Sequence, residues 1–172
     1  MGPWRGWRAG HAMALVAGAL VAGVILDGEL WDRDAPALTV RDADGLLLAS
    51  VPLRAGGDFA LRYRNSVYGT LAEERFVIAD DGALRLVELA ADQLAVLEEY
   101  YAVTEPPVRA PPSSARAWRA PPARPVVLTE LSVAATDLGQ RTLLVDDRAS
   151  LPLWQLVDAD PTVVLRVEGT GA

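Results

Sequence analysis

Residues 59–78 read Phe-Ala-Leu-Arg-Tyr-Arg-Asn-Ser-Val-Tyr-Gly-Thr-Leu-Ala-Glu-Glu-Arg-Phe-Val-Ile. In the first half, Phe59, Leu61, Tyr63, Asn65 and Val67 share one phase, and Arg62, Arg64 and Ser66 take the other. In the second half, Ala72, Glu74, Phe76 and Ile78 alternate with Leu71, Glu73, Arg75 and Val77. A period of two is the signature of a strand with one face buried. A turn near Tyr68-Gly69 folds the two runs into an antiparallel hairpin. Asn65 and Glu74 then both fall on the aromatic, inward side. An ionised carboxylate in that position is costly unless it receives hydrogen bonds. Asn65, Ser66, Arg64 and the hydroxyls of Tyr63 and Thr70 are the candidate donors. Tyr63, Asn65, Ser66, Glu74 and Phe76 thus form either a polar cluster that fixes the hairpin register or the floor of a small ligand or partner pocket.

The same pattern extends in both directions. Ala37 to Val40 and Leu46 to Leu53 flank Asp44-Gly45, a strong hairpin signal. Gly56-Gly57 separates them from Phe59, and Asp81-Gly82 leads from Ile78 into Ala83 to Leu89. These turns predict a continuous antiparallel meander. Residues 90–101 fit a short helix or an irregular strand, since Leu94, Leu97 and Tyr101 have helical spacing. Residues 105–125 are proline-rich and are expected to form an exposed, extended loop without strands, Trp118 being its only large apolar group. Strands resume at Val126 to Val133, Thr142 to Val145, Leu151 to Val157 and Thr162 to Val167. The prediction is an all-β domain over 37–168, an antiparallel β-sandwich or partly closed barrel of about nine short strands.

The first 26 residues have a different character. Arg5 and Arg8 precede a charge-free run from Ala12 to Leu26 that includes Leu15, Leu20 and Val24, and Asp27 and Glu29 follow at once. A basic flank, an apolar stretch and an acidic far side describe an export signal that keeps its arginines in the cytoplasm. With Ala9, Gly10 and His11 the run approaches the ~20 residues of a spanning helix. Val24-Ile25-Leu26 occupies the place of a small-x-small cleavage site, which favours an uncleaved signal anchor over a cleaved signal peptide. A buried core helix fits the one-sided arginines poorly. The expected order is a cytoplasmic flank (1–8), an anchor or signal peptide (9–26), an acidic spacer (27–36), the β domain and a tail (169–172). This places the chain in the inner membrane as a single-pass protein with its domain in the periplasm or outside the cell, or secreted if the leader is cleaved.

Beyond the leader, 14 arginines face 23 acids, a net charge near −9. Phosphate backbones repel such a surface, so nucleic acid is not an expected partner. The chain has no cysteine, and its single histidine, His11, lies in the leader. The domain therefore lacks the imidazole and thiolate on which Ser-His-Asp triads, Cys-His pairs and zinc sites depend. Acid pairs at Asp42/Asp44, Asp80/Asp81, Asp146/Asp147 and Asp158/Asp160 sit where the chain must turn, the ordinary use of aspartate, and none has the ligand spacing of a calcium loop. The expectation is no metal, no cofactor and no catalysis.

The segment from Phe59 to Phe76 also resembles the signature of an uncharacterised exported domain family of bacteria and archaea. Its members are encoded beside TRAP transporters of the TAXI type. That pattern is an apolar-x-Tyr-x-His-Ser-Val strand, then Thr-Pro-Val, then an acid two residues before an aromatic. Tyr63, Ser66, Val67, Thr70, Glu74 and Phe76 occupy those places. Asn65 stands where the family usually has histidine, so no proton transfer is available there. A glycine-rich stretch ending in proline is replaced by Leu94 to Val103 and the proline-rich segment. The resemblance implies an accessory protein associated with a TRAP-TAXI solute transporter. The alternative is a periplasmic ligand-binding or carbohydrate-active β-sandwich using Glu74, which requires a concave pocket holding Glu74 with Tyr63, Phe76 or Trp154.

Overall fold

The computed structural model describes residues 36–54, 56–145, 149–158 and 161–169. The leader, including Ala12, Leu15, Leu20, Val24 and Leu26, lies outside the described residues. Among the described residues, twelve strands form two antiparallel sheets, neither closed into a barrel. The smaller sheet contains β1 (Ala37–Asp42), β2 (Leu47–Pro52), β9 (Leu131–Ala134) and β12 (Thr162–Glu168), in the order β2-β1-β12-β9. The larger follows the order β11-β10-β3-β4-β5-β7-β6, with β8 also pairing β5. Its strands are β3 (Asp58–Arg64), β4 (Leu71–Ile78), β5 (Leu84–Ala91), β6 (Val108–Arg109), β7 (Trp118–Ala120), β8 (Val126–Leu128), β10 (Thr142–Val145) and β11 (Ala149–Pro152).

The all-β antiparallel expectation holds, with two open sheets and twelve strands in place of about nine. The expected meander is broken once, because β1-β2 belongs to one sheet and β3-β4-β5 to the other. The switch occurs across Gly56-Gly57, where Gly56 takes φ +69°, a conformation costly for residues with a Cβ. At Asp44-Gly45 the Asp42 carboxylate accepts the backbone N–H groups of Asp44 and Leu46, and Gly45 turns the chain at φ +87°. That acid is occupied by turn formation.

Two further strand boundaries follow from phase. Leu128 and Leu131 both face inward, but they are three positions apart, an odd offset that would put them on opposite faces of an unbroken strand. The run predicted over 126–133 therefore divides: β8 pairs with β5 and β9 crosses to pair with β12. In β5 the inward residues Leu86 and Leu89 are likewise out of phase, and the register shifts at Arg75/Phe76 on β4 absorb the extra residue as a bulge. The strand expected over 151–157 ends at Pro152, after which Leu153–Gln155 form a 3-10 turn that buries Leu153 completely.

The 105–125 segment differs from the strandless loop expected. Val108–Arg109 and Trp118–Ala120 pair with each other, and β7 pairs with β5 through Leu89↔Ala120, Ala90↔Arg119 and Ala91↔Trp118. The prolines bracket these strands without entering their paired positions, so they limit the strands to a few residues. Trp118 is half-buried, with the Arg109 guanidinium 5.1 Å from its ring centroid.

One face of the large sheet carries the core. Phe59, Leu61, Phe76, Leu84 and Leu143 pack against Leu38, Val40, Val163 and Leu165 of the small sheet. Phe59 and Phe76 stack, with centroids 4.9 Å apart and planes 8° from parallel. Further along the same face the small sheet no longer covers it. There Tyr63, Ala72, Leu89, Ala91 and Ala120 are covered by Val96 and Leu97. These two belong to a single π-helical turn, Val96–Tyr100, which accounts for the mixed pattern at 90–101.

Candidate functional site

The β3–β4 register pairs Leu61 with Glu74, Tyr63 with Ala72, and Phe59 with Phe76. Glu74 also lies opposite Leu89 of β5. Its neighbours across both ladders are thus fully or almost fully buried leucines, and its carboxylate requires a donor. The donor is Tyr101. Its hydroxyl lies 2.6 Å from Glu74 Oε1 and 2.5 Å from the Tyr63 hydroxyl. A phenol has one proton, so when Tyr101 donates to Glu74, Tyr63 donates to Tyr101. The result is a directed relay, Tyr63 to Tyr101 to Glu74, and the Arg141 guanidinium lies over the Tyr63 ring at 4.7 Å.

Tyr101 arrives at this position as the residue closing the π turn. Its N–H donates to Val96 O, and the chain then reverses through Ala102 at φ +49° so that Val103 N–H reaches Leu97 O. Burial pushes the Tyr63 hydroxyl up to about 12. Burial first, and the Glu74 charge second, push Tyr101 still higher. Both hydroxyls therefore remain protonated across the physiological range. A phenol whose folded pKa is raised contributes stability that is intact below its unfolded value of about 10 and lost above it. Thermal unfolding temperature is expected to be insensitive to tyrosine ionisation from pH 7 to 9 and to fall progressively above pH 10. Tyr101→Phe is expected to flatten part of that fall, as followed by circular dichroism.

The other expected site residues do not join this relay. Asn65 is buried, but its Oδ1 accepts the N–H groups of Val67 and Tyr68, while its backbone bonds to Thr70 O and Gly69 N. It shapes the loop between β3 and β4 and is not a donor to Glu74. Arg64 donates to Gly69 O, Ser66 is exposed, and Thr70 Oγ1 is buried without a hydrogen-bond partner. Phe76 belongs to the aromatic stack. Asn65→Ala is expected to cost about 1 kcal/mol of unfolding free energy, since it removes an acceptor that caps two backbone N–H groups. Urea titration measures this directly.

The opposite face of the large sheet carries paired charges. Glu73 has a side chain only 8 % exposed and lies 2.9 Å from Arg62 Nε and 3.2 Å from Arg116 Nε. Arg116 also holds Asp92 at 2.9 Å, and Arg75 holds Asp58 at 3.0 Å. The Arg116 Nε contact is close in distance but poorly aligned for a hydrogen bond, so its value is largely coulombic. A depression of about 80 Å³ on this face is lined by Asp58, Arg62, Glu73, Arg75 and Leu144 among others. None of Glu74, Tyr63, Tyr101 or Trp154 lines it. Among the described residues no three His, Asp or Glu side chains gather as a metal-binding group. The sequence reading missed Tyr101, Arg141 and Arg116. Only the helical spacing that ends at Tyr101 hinted at any of them.

Fold and cluster together define an open, two-sheet antiparallel β domain in which Glu74, facing the core side of the large sheet, is held by a tyrosine relay. No protein-family model, curated protein or solved structure matches the chain.

Proposed function

We propose that this protein is a non-catalytic extracytoplasmic domain, tethered to the inner membrane by residues 9–26, that acts as an accessory of a TRAP-TAXI solute transporter. The observation that carries the non-catalytic reading is that the Glu74 carboxylate receives the Tyr101 hydroxyl and lies outside the depression on this sheet. At about 80 Å³, that depression is also far below the ~300–1,000 Å³ of an ordinary ligand pocket. The glycosidase-like alternative therefore gains no support from the placement of Glu74.

The transporter reading rests on the resemblance of Phe59–Phe76, and the loop inside that segment supplies a contact surface. Val67 at the loop tip is 72 % exposed. Arg64 N–H donates to Gly139 O, which brings the β9–β10 loop alongside, and there Leu138 is 67 % exposed. Apolar loop tips side by side suit a protein partner better than a solute. Affinity purification of the full chain from membranes tests the proposal. Transporter subunits are expected to co-purify and to fall at least tenfold with Val67→Asp plus Leu138→Asp. Their absence from the unsubstituted protein's eluate would overturn it.

A further inference from the structure

We infer that two copies of this chain pair through strand β2, joining their small sheets into one continuous antiparallel sheet about a two-fold axis at Ala49. This is independent of the transporter reading.

An open sheet leaves unpaired N–H and C=O groups along its edge strands, and proteins guard such edges with charges, prolines, bulges or brevity. Four edges here are guarded. β6 has two residues next to Pro107, β8 has three and follows Pro125, β11 has four and ends on Pro152, and β9 has four and follows Glu130. β2 is different. Its six residues, Leu-Leu-Ala-Ser-Val-Pro, include no charge, and its proline stands only at the last position. Leu46 and Leu47 at its start are exposed, Leu46 at 65 %. Its one guard is a bulge at Leu48, where the register against Val40/Arg41 of β1 shifts, so the unguarded stretch runs from Ala49 to Val51.

The flanks of β2 select its partner. Asp44 and Arg54 lie five residues before and five residues after Ala49. Both are exposed, and neither side chain is ion-paired among the described residues. An antiparallel pair related by a two-fold axis perpendicular to the sheet keeps the core face of both copies on one side, so the axis must pass through a residue facing its own copy. Centring on Ala49 brings the Asp42–Asp44 end of each strand beside Arg54 of the other. It also sets Leu46 and Leu47 against the Val51–Leu53 end. Two charge pairs and two covered leucine patches result from a single self-complementary strand.

The absence of native cysteine makes a direct test available. In this register the two Ala49 Cα atoms lie roughly 4.5–5.5 Å apart, within disulfide range. Full-length Ala49→Cys protein, treated with a mild oxidant, is expected to run mainly as a disulfide dimer. Ser132→Cys, on exposed edge strand β9, should give at least fivefold less. Adding Arg54→Glu to Ala49→Cys should lower the dimer severalfold, and Asp44→Arg on top should restore it. A dimer yield for Ala49→Cys no higher than for Ser132→Cys would overturn the inference, as would charge exchange without rescue.

Discussion

Phe59→Ala is expected to destabilise the protein by about 3–5 kcal/mol, enough to unfold a domain of ordinary marginal stability near body temperature. Phe59 is 1 % exposed and stacks on Phe76, and Phe76 pairs across to it in the ladder. It is also opposite Val145 on its other side, so three strands meet at this ring. Truncation removes the aromatic area and leaves a cavity that paired strands cannot close by shifting, because their register is fixed by hydrogen bonds. Phe59→Leu should cost less, about 1–2 kcal/mol, because most of the volume is kept. Val67→Ala should lie within about 0.5 kcal/mol of the parent. Chemical denaturation of the three proteins side by side checks the order.

The second large effect is expected on the other face of the same sheet. Glu73→Ala removes the shared carboxylate from Arg62 and Arg116. Breaking a buried pair by deleting one partner costs about 3–5 kcal/mol when both groups are fully buried. Here Arg62 is a third exposed and Arg116 retains Asp92, so the expected loss is smaller, about 2–3 kcal/mol. Replacing Arg62, Glu73 and Arg116 together by apolar residues should recover most of that loss, because the one charge left without its partner is Asp92, whose side chain is exposed to water. A triple variant as unstable as Glu73→Ala would show that packing, and not charge, supplies the effect.

The two faces of β3 and β4 were legible to different degrees in the sequence. Alternation through Phe59, Leu61 and Tyr63 sufficed to place Glu74 among buried neighbours, because strand period is a local property. The partner of Glu74 was not legible. Tyr101 reaches it through one π turn and a left-handed Ala102, a geometry with no periodic signature. Glu73 reads as a solvent-facing residue in phase with Arg75, and its burial depends on Arg116. That residue lies in a segment whose prolines argue for an open loop, yet the loop folds back as β6 and β7 and carries Arg116 onto the sheet. Asn65, one of several candidate donors to Glu74, lies on the expected inward face but caps the loop instead. Its side chain, next to a turn, bonds to backbone two and three residues ahead, as asparagine commonly does. The breaks at Leu128/Leu131 and Leu86/Leu89 were present as phase errors, visible once inward positions are counted and not merely apolar runs.

The claim on which the functional reading depends is that Glu74 is committed to holding the β3–β4 hairpin against the π turn, and is not a free acid. A double-mutant cycle between Glu74→Ala and Tyr101→Phe, followed by urea denaturation, tests this most directly. The expected coupling is about 1–2 kcal/mol, because either single change strands the other end of the part-buried Tyr101–Glu74 bond, while the bond that Tyr63 loses with Tyr101→Phe is lost in both backgrounds and cancels. Additivity within about 0.3 kcal/mol would contradict it and return Glu74 to the list of groups available for chemistry.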